Sequence, residues 1–210
     1  TAADGAFSLS STNVTQKVVV TTNSATAGNL AISAIDGSSG AALSGVTLTG
    51  PSGSSVLSPA STLLEKSDLT EAEVAAALGL DGISLTAFNP YAAGVDADNA
   101  LAFEKVATQV ITTVKAISAA AQGSGAAAEA ASNAAFSSII SVVATTATAG
   151  ETLDLSAAAD LTSIQTQAAT DLVAVAGVDA TAFTAVLATA MTAVGNVNTQ
   201  VAAITDTDLT

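Results

Sequence analysis

Paired carboxylates are the main side-chain chemistry that this sequence offers. Asp96 and Asp98 stand in Val95-Asp96-Ala97-Asp98-Asn99, ahead of a helical pattern that begins near residue 98. The D-x-D-N spacing resembles the opening of an oxygen-ligated calcium loop, where alternate side chains converge on the ion. Asp96, Asp98 and Asn99 are therefore candidate Ca²⁺ ligands, although the later Gly and bidentate Glu of an EF-hand are missing. The same residues also suit helix N-capping, since acids are favoured at the positive end of a helix dipole. Asp206 and Asp208 form a second pair, for which a solvated tail is the simpler reading. Asp4-Gly5 and Asp36-Gly37 read as turns. Glu71 and Glu73 read as helix caps, because neighbours two apart on a helix do not face each other.

Composition removes most other chemistry. The 210 residues include 18 Asp and Glu against 4 Lys, with no Arg, His or Cys, for a net charge of −14. A chain so acidic and without guanidinium groups cannot neutralise a phosphate backbone, so nucleic acid is excluded as a partner. Without Cys or His there are no thiol nucleophiles, imidazole bases, disulfides or zinc sites. No Gly-rich loop follows a strand and opens a helix, so phosphate binding has no support. The chain is read as not an enzyme and as requiring no cofactor, with Ca²⁺ the one ion left open. Lys66, Lys105 and Lys115 read as solvated helix-face charges, and Lys17 as a strand lysine that guards an edge.

The elements that would position these residues change character near residue 58. Phe7-Ser8-Leu9-Ser10 and Leu30-Ala31-Ile32-Ser33-Ala34-Ile35 alternate apolar and polar residues. Lys17–Thr22 is a largely β-branched run, and Val46-Thr47-Leu48-Thr49 alternates again. Turn residues separate these runs, so 1–57 is expected to be a small antiparallel β unit of about four strands. So small a unit is marginal alone and is expected to lean on its neighbours or to gain a strand from another segment or chain.

From 58 to 210 the period becomes helical. Ser58-Pro59 is an N-cap followed by a helix-starting proline, and Thr70-Glu71-Ala72-Glu73 matches a capping box. Phe103, Val106, Val110, Val114 and Ile117 mark one face of a helix over 98–121. Phe136, Ile139, Ile140 and Val143 mark a second over 126–146, and Leu161, Ile164, Ala168, Leu172 and Val175 a third. Asp179 would cap the last helix, with Phe183, Val186, Ala190, Val194, Val197, Val201 and Ile204 inward. Short loops make these helices antiparallel neighbours. The expected fold class is α+β: a small antiparallel β unit (1–57) followed by an Ala-rich antiparallel helical bundle (58–210).

Alanine supplies 50 residues, so the core is expected to be thin, with each methyl adding only about 0.8 kcal/mol on burial. The mean hydropathy of +0.57 raises the question of a membrane. Ala130–Gly150 and Ala180–Thr205 are uncharged and long enough to span one, yet both are diluted with polar residues and lack flanking aromatic belts. They read as soluble helices, not spans. The chain starts without Met or a signal-peptide pattern, which reads as a processed or excised segment.

Two passages carry a resemblance. Thr1-Ala2-Ala3-Asp4-Gly5-Ala6-Phe7-Ser8-Leu9 resembles the T-D-A-D-G-x-F-S-L turn of small β repeats in bacterial surface proteins. Ser55-Val56-Leu57-Ser58-Pro59-Ala60-Ser61-Thr62-Leu63-Leu64 resembles the helix start of a module recurring in very large secreted bacterial proteins. Leu69-Thr70-Glu71-Ala72-Glu73-Val74, Leu85-Thr86-Ala87-Phe88-Asn89-Pro90 and Ala107-Thr108-Gln109-Val110 follow in the same order as in that module. The hosts are RTX-type adhesins and S-layer-like, matrix or filament proteins. The chain departs from them in Asn89, where Asp is common, and in lacking a glycine-aspartate nonapeptide repeat. The resemblance implies a secreted, cell-surface structural module without catalytic residues. It would assemble through β edges and helix faces into a surface layer, filament or matrix, or form a segment of a giant adhesin. The alternative is an extracytoplasmic helical bundle that binds a small ligand.

Overall fold

The computed structural model describes residues 18–21 and 46–205. Among the described residues the chain is mostly helical, with six helices in a bundle-like packing. Two four-residue strands, β1 (Val18–Thr21) and β2 (Thr47–Gly50), precede the helices and pair antiparallel, with Val19 opposite Thr49. They match two of the expected β runs. The other two, at Phe7–Ser10 and Leu30–Ile35, lie outside the described residues, as do Lys17, Asp4 and Asp36.

Helix α1 (Pro59–Lys66) begins at a capping box in which Ser58 and Ser61 exchange side-chain and backbone bonds. Its hydroxyls then close one edge of β2. The Thr49 N–H donates to Thr62 Oγ1 at 3.0 Å, and the Thr49 carbonyl accepts from Ser61 Oγ at 2.9 Å and Thr62 Oγ1 at 3.2 Å. Thr49, Ser61 and Thr62 are all buried, so these bonds replace water that the strand edge would otherwise need. The contact joins residues on either side of position 57.

Helix α2 (Glu71–Ala77) starts at the expected Thr70–Glu73 capping box. The bundle follows: α3 (Ala97–Gly123), α4 (Ala128–Ala149), α5 (Ala158–Leu172) and α6 (Ala180–Ala203). Neighbours in sequence pack together, α6 closes back onto α3, and α1 and α2 lie against the α3–α4 side. One continuous core runs from Val46 to Val194 and is filled at its centre by Phe136, Phe183, Ile117, Ile139, Ile164 and Leu187. The expected inward residues of α3, α4 and α5 are buried or half-buried, including Val175, which stands in the turn after α5 and packs against the core.

The two turns at one end of the bundle touch back to back. Gly125 (φ 109°) follows α3 and Gly177 (φ 89°) precedes α6, and a Cβ on Gly125 would collide with the Gly177 carbonyl oxygen. The Asp179 N–H donates to the Ser124 carbonyl at 2.8 Å across the same junction. Gly125→Ala combines a left-handed backbone with a backbone collision and is expected to cost at least about 2 kcal/mol. Gly123→Ala, in the last turn of α3 where an added methyl meets nothing, should instead stabilise by up to about 1 kcal/mol. Urea denaturation of both variants beside the parent chain checks the opposite signs.

Candidate assembly surface

Asp96 is the N-cap of α3, its Oδ1 accepting the Asn99 N–H at 2.9 Å, and Asp98 lies in the first turn. All three residues of the expected calcium trio are exposed, and capping occupies one Asp96 oxygen. Among the described residues no three carboxylates converge as a metal site would need. Asp206 and Asp208 lie outside the described residues.

The two α2 glutamates divide their work. Glu73 closes the capping box, and the Thr70 hydroxyl and N–H together hold its carboxyl below the usual range. Glu71 instead turns to the 84–86 segment. Its Oε1 accepts from Ser84 Oγ at 2.9 Å, the Leu85 N–H at 2.7 Å and the Thr86 N–H at 3.3 Å. The Thr86 carbonyl in turn accepts from the Ser55 and Val56 N–H groups. Glu71 thus ties the loop after α2 to the segment before α1, a role that local spacing could not reveal. A polar cleft of about 590 Å³ lies between the 51–54 turn and these helices, with Glu65 and Glu71 on its wall. Glu65 accepts there from Thr49 Oγ1 at 2.9 Å. At the start of α5, Asp154 accepts from Ser156 Oγ at 2.6 Å and from its N–H at 2.8 Å, which lowers its pKa.

The lysines are not all free charges. Lys105 Nζ donates to the Ala202 carbonyl at 2.9 Å, placing a cation at the negative end of α6. Lys66 Nζ reaches Asn133 Oδ1 at 3.2 Å, and Lys115 is exposed.

Helix α6 departs most from expectation. The spacing points to an inward stripe of Phe183, Val186, Ala190, Val194, Val197, Val201 and Ile204, of which Val201 and Ile204 are half-buried. The structure buries Phe183, Leu187, Met191, Val194 and Asn198 and leaves Val186 51% and Val197 44% exposed. Both stripes are apolar at helical spacing. The two share Phe183 and Val194, and the buried one adds Leu187 and Met191 where the other offers Val186, Ala190 and Val197, so it removes more apolar surface from water. A polar pin fixes the choice. Asn198, fully buried, donates from Nδ2 to the Leu155 carbonyl at 2.8 Å, while its own carbonyl accepts from Gln109 Nε2 at 3.0 Å.

That rotation leaves Val186, Ala193 and Val197 exposed and Ala190 half-buried beside Thr112, Ala116 and Ala119 of α3. Together they line an open, nearly all-apolar groove of about 420 Å³. Helix α6 carries no charged residue over its 24 positions. By length and hydropathy both α4 and α6 could cross a membrane, and α6 is the less covered, with 22% of its most apolar window buried against 44% for α4.

No protein-family model, curated protein or solved structure matches the chain. Asn198→Ala would leave the buried Leu155 carbonyl without its donor and is expected to cost about 1–3 kcal/mol in a urea melt. An unchanged midpoint would show that burial of Phe183, Leu187 and Met191 sets the rotation of α6 unaided.

Proposed function

We propose that the chain is a non-enzymatic extracellular structural or adhesive module. It would assemble into a bacterial surface layer, filament or matrix, or form one segment of a giant adhesin. The observation that carries this reading is α6, an uncharged helix that leaves Val186 and Val197 exposed in a chain of net charge −14. Like charges keep copies of so acidic a protein apart, so contact between copies favours its neutral faces. The composition supports the same reading, since it lacks the imidazole, thiol and guanidinium groups on which most catalytic sites are built.

The finer part of the reading is the small β unit over 1–57, completed or extended by strand addition. One edge of β2 is spanned by α1 at Thr49, so strand addition would use the far edge of β1. A small ligand would need convergent polar groups to orient it, and Thr112 is the one polar residue on the α3–α6 groove. The groove therefore suits a packing surface better than a ligand pocket. Calcium at Asp96, Asp98 and Asn99 would act at the exposed start of α3, where a bound ion could bridge copies.

Negative-stain microscopy of the purified chain with and without Ca²⁺ tests the reading. Ordered layers or filaments are expected, and any dependence on Ca²⁺ should vanish in Asp98→Ala. A monodisperse monomer under both conditions would remove every self-assembling form of the proposal and leave the adhesin segment alone.

A further inference from the structure

Helix α1 carries a polar stripe where helices usually carry an apolar one. Ser58 caps it, and Ser61, Thr62 and Glu65 continue the same face at the i+3, i+4 and i+7 positions. Ser58, Ser61 and Thr62 are all buried, and buried hydroxyls are costly unless they are bonded. The stripe meets a single strand residue. The Thr49 N–H donates to Thr62 Oγ1, and its carbonyl accepts from Ser61 Oγ and Thr62 Oγ1. Thr49 Oγ1 donates to Glu65 Oε2, while the Ser58 carbonyl anchors both α1 hydroxyls from behind.

The groups bonded in this way are those that a neighbouring strand would use. Backbone groups alternate in direction along an antiparallel strand. Leu48 and Gly50 therefore turn theirs toward β1, and Thr49 turns its own outward to α1. Thr62 imitates a strand there, because one hydroxyl can accept from the N–H and donate to the carbonyl. Pro51 has no N–H to offer, so the edge ends with it.

We infer that Ser61 and Thr62 form an edge plug, an autoinhibitory contact that withholds β2 from strand addition. An open strand edge pairs readily with another chain, and a covering helix is one way to prevent it. With β2 plugged, strand addition at β1 would join two copies edge to edge and stop there. Two open edges would instead let a sheet grow from copy to copy. The plug does not depend on the assembly reading above, but the one-sided pairing that follows from it does.

A fluorescent peptide with the sequence of Lys17–Thr22, followed by anisotropy, tests the plug. It copies the strand that β2 accepts on its other side. Ser61→Ala combined with Thr62→Val removes both hydroxyls without a change of charge. The double variant is expected to bind the peptide at least about tenfold more tightly than the parent, about the worth of one restored hydrogen bond. Thr62→Ser keeps both hydroxyls and should bind as the parent does. Gly125→Ala, which disturbs the α3–α4 turn and leaves the hydroxyls in place, should also match the parent. Equal binding by parent and double variant, with helical circular dichroism unchanged, would overturn the plug, since α1 would then close the edge by bulk alone. A similar gain in Gly125→Ala would overturn it too, by tracing the gain to a loosened fold. If the double variant loses its helical signal, Thr62→Val alone is held to the same criteria. Tighter binding by the variant of a parent that forms no layers or filaments would uphold the plug and count against assembly.

Discussion

Asn198 holds α6 at one rotation, and the outer face of the bundle follows from that. Its side chain donates to the Leu155 carbonyl and its backbone accepts from Gln109, so one residue joins α6 to α3 and to the segment before α5. Asn198 Oδ1 has no partner among the described residues, so the site gains less than a fully satisfied network would. Its value is specificity, since α6 carries two apolar stripes and a buried amide can sit on only one of them. With Phe183, Leu187, Met191 and Val194 directed inward, Val186 and Val197 are left at the surface.

A second feature makes that surface less polar than its composition suggests. Thr184 donates to the Ala180 carbonyl, Thr192 to Ala188 and Thr199 to Gly195. The same pattern runs along α4 at Ser137, Ser141, Thr145 and Thr148, and along α5 at Thr162, Thr166 and Thr170. Each hydroxyl hydrogen is directed back at its own helix and is no longer offered to solvent or to a partner. The threonine methyls remain outside. Helix faces of this kind are neutral and smooth, which suits packing of one helical surface on another better than recognition of a charged or hydrogen-bonding ligand.

Much of the helical architecture was legible because its signals are local. Ser58, Thr70, Asp96 and Asp179 all cap the helices they precede, and the periodicity of Phe103 to Ile117 and of Leu161 to Leu172 gives the buried faces. Local spacing failed where two alternatives satisfied it equally. On α6 the stripe through Val186 and Val197 and the stripe through Leu187 and Met191 share a period, and the deciding contacts come from Gln109 and Leu155, far away in sequence. The roles of Glu71, Lys105 and the Gly125–Gly177 junction were hidden for the same reason, since each partner lies in another element. The closure of the β2 edge by Ser61 and Thr62 was equally non-local.

The account depends on an apolar contact made against charge repulsion, and its salt dependence is the most direct test. Screening should weaken the mutual repulsion of chains of net charge −14 and leave the contact between neutral helix faces intact. Sedimentation equilibrium of the chain should therefore show association that strengthens from low to high salt and is lost in Val197→Glu. A mass fixed at the 20.1 kDa of one chain at every concentration and salt, or association that weakens as salt rises, would contradict it.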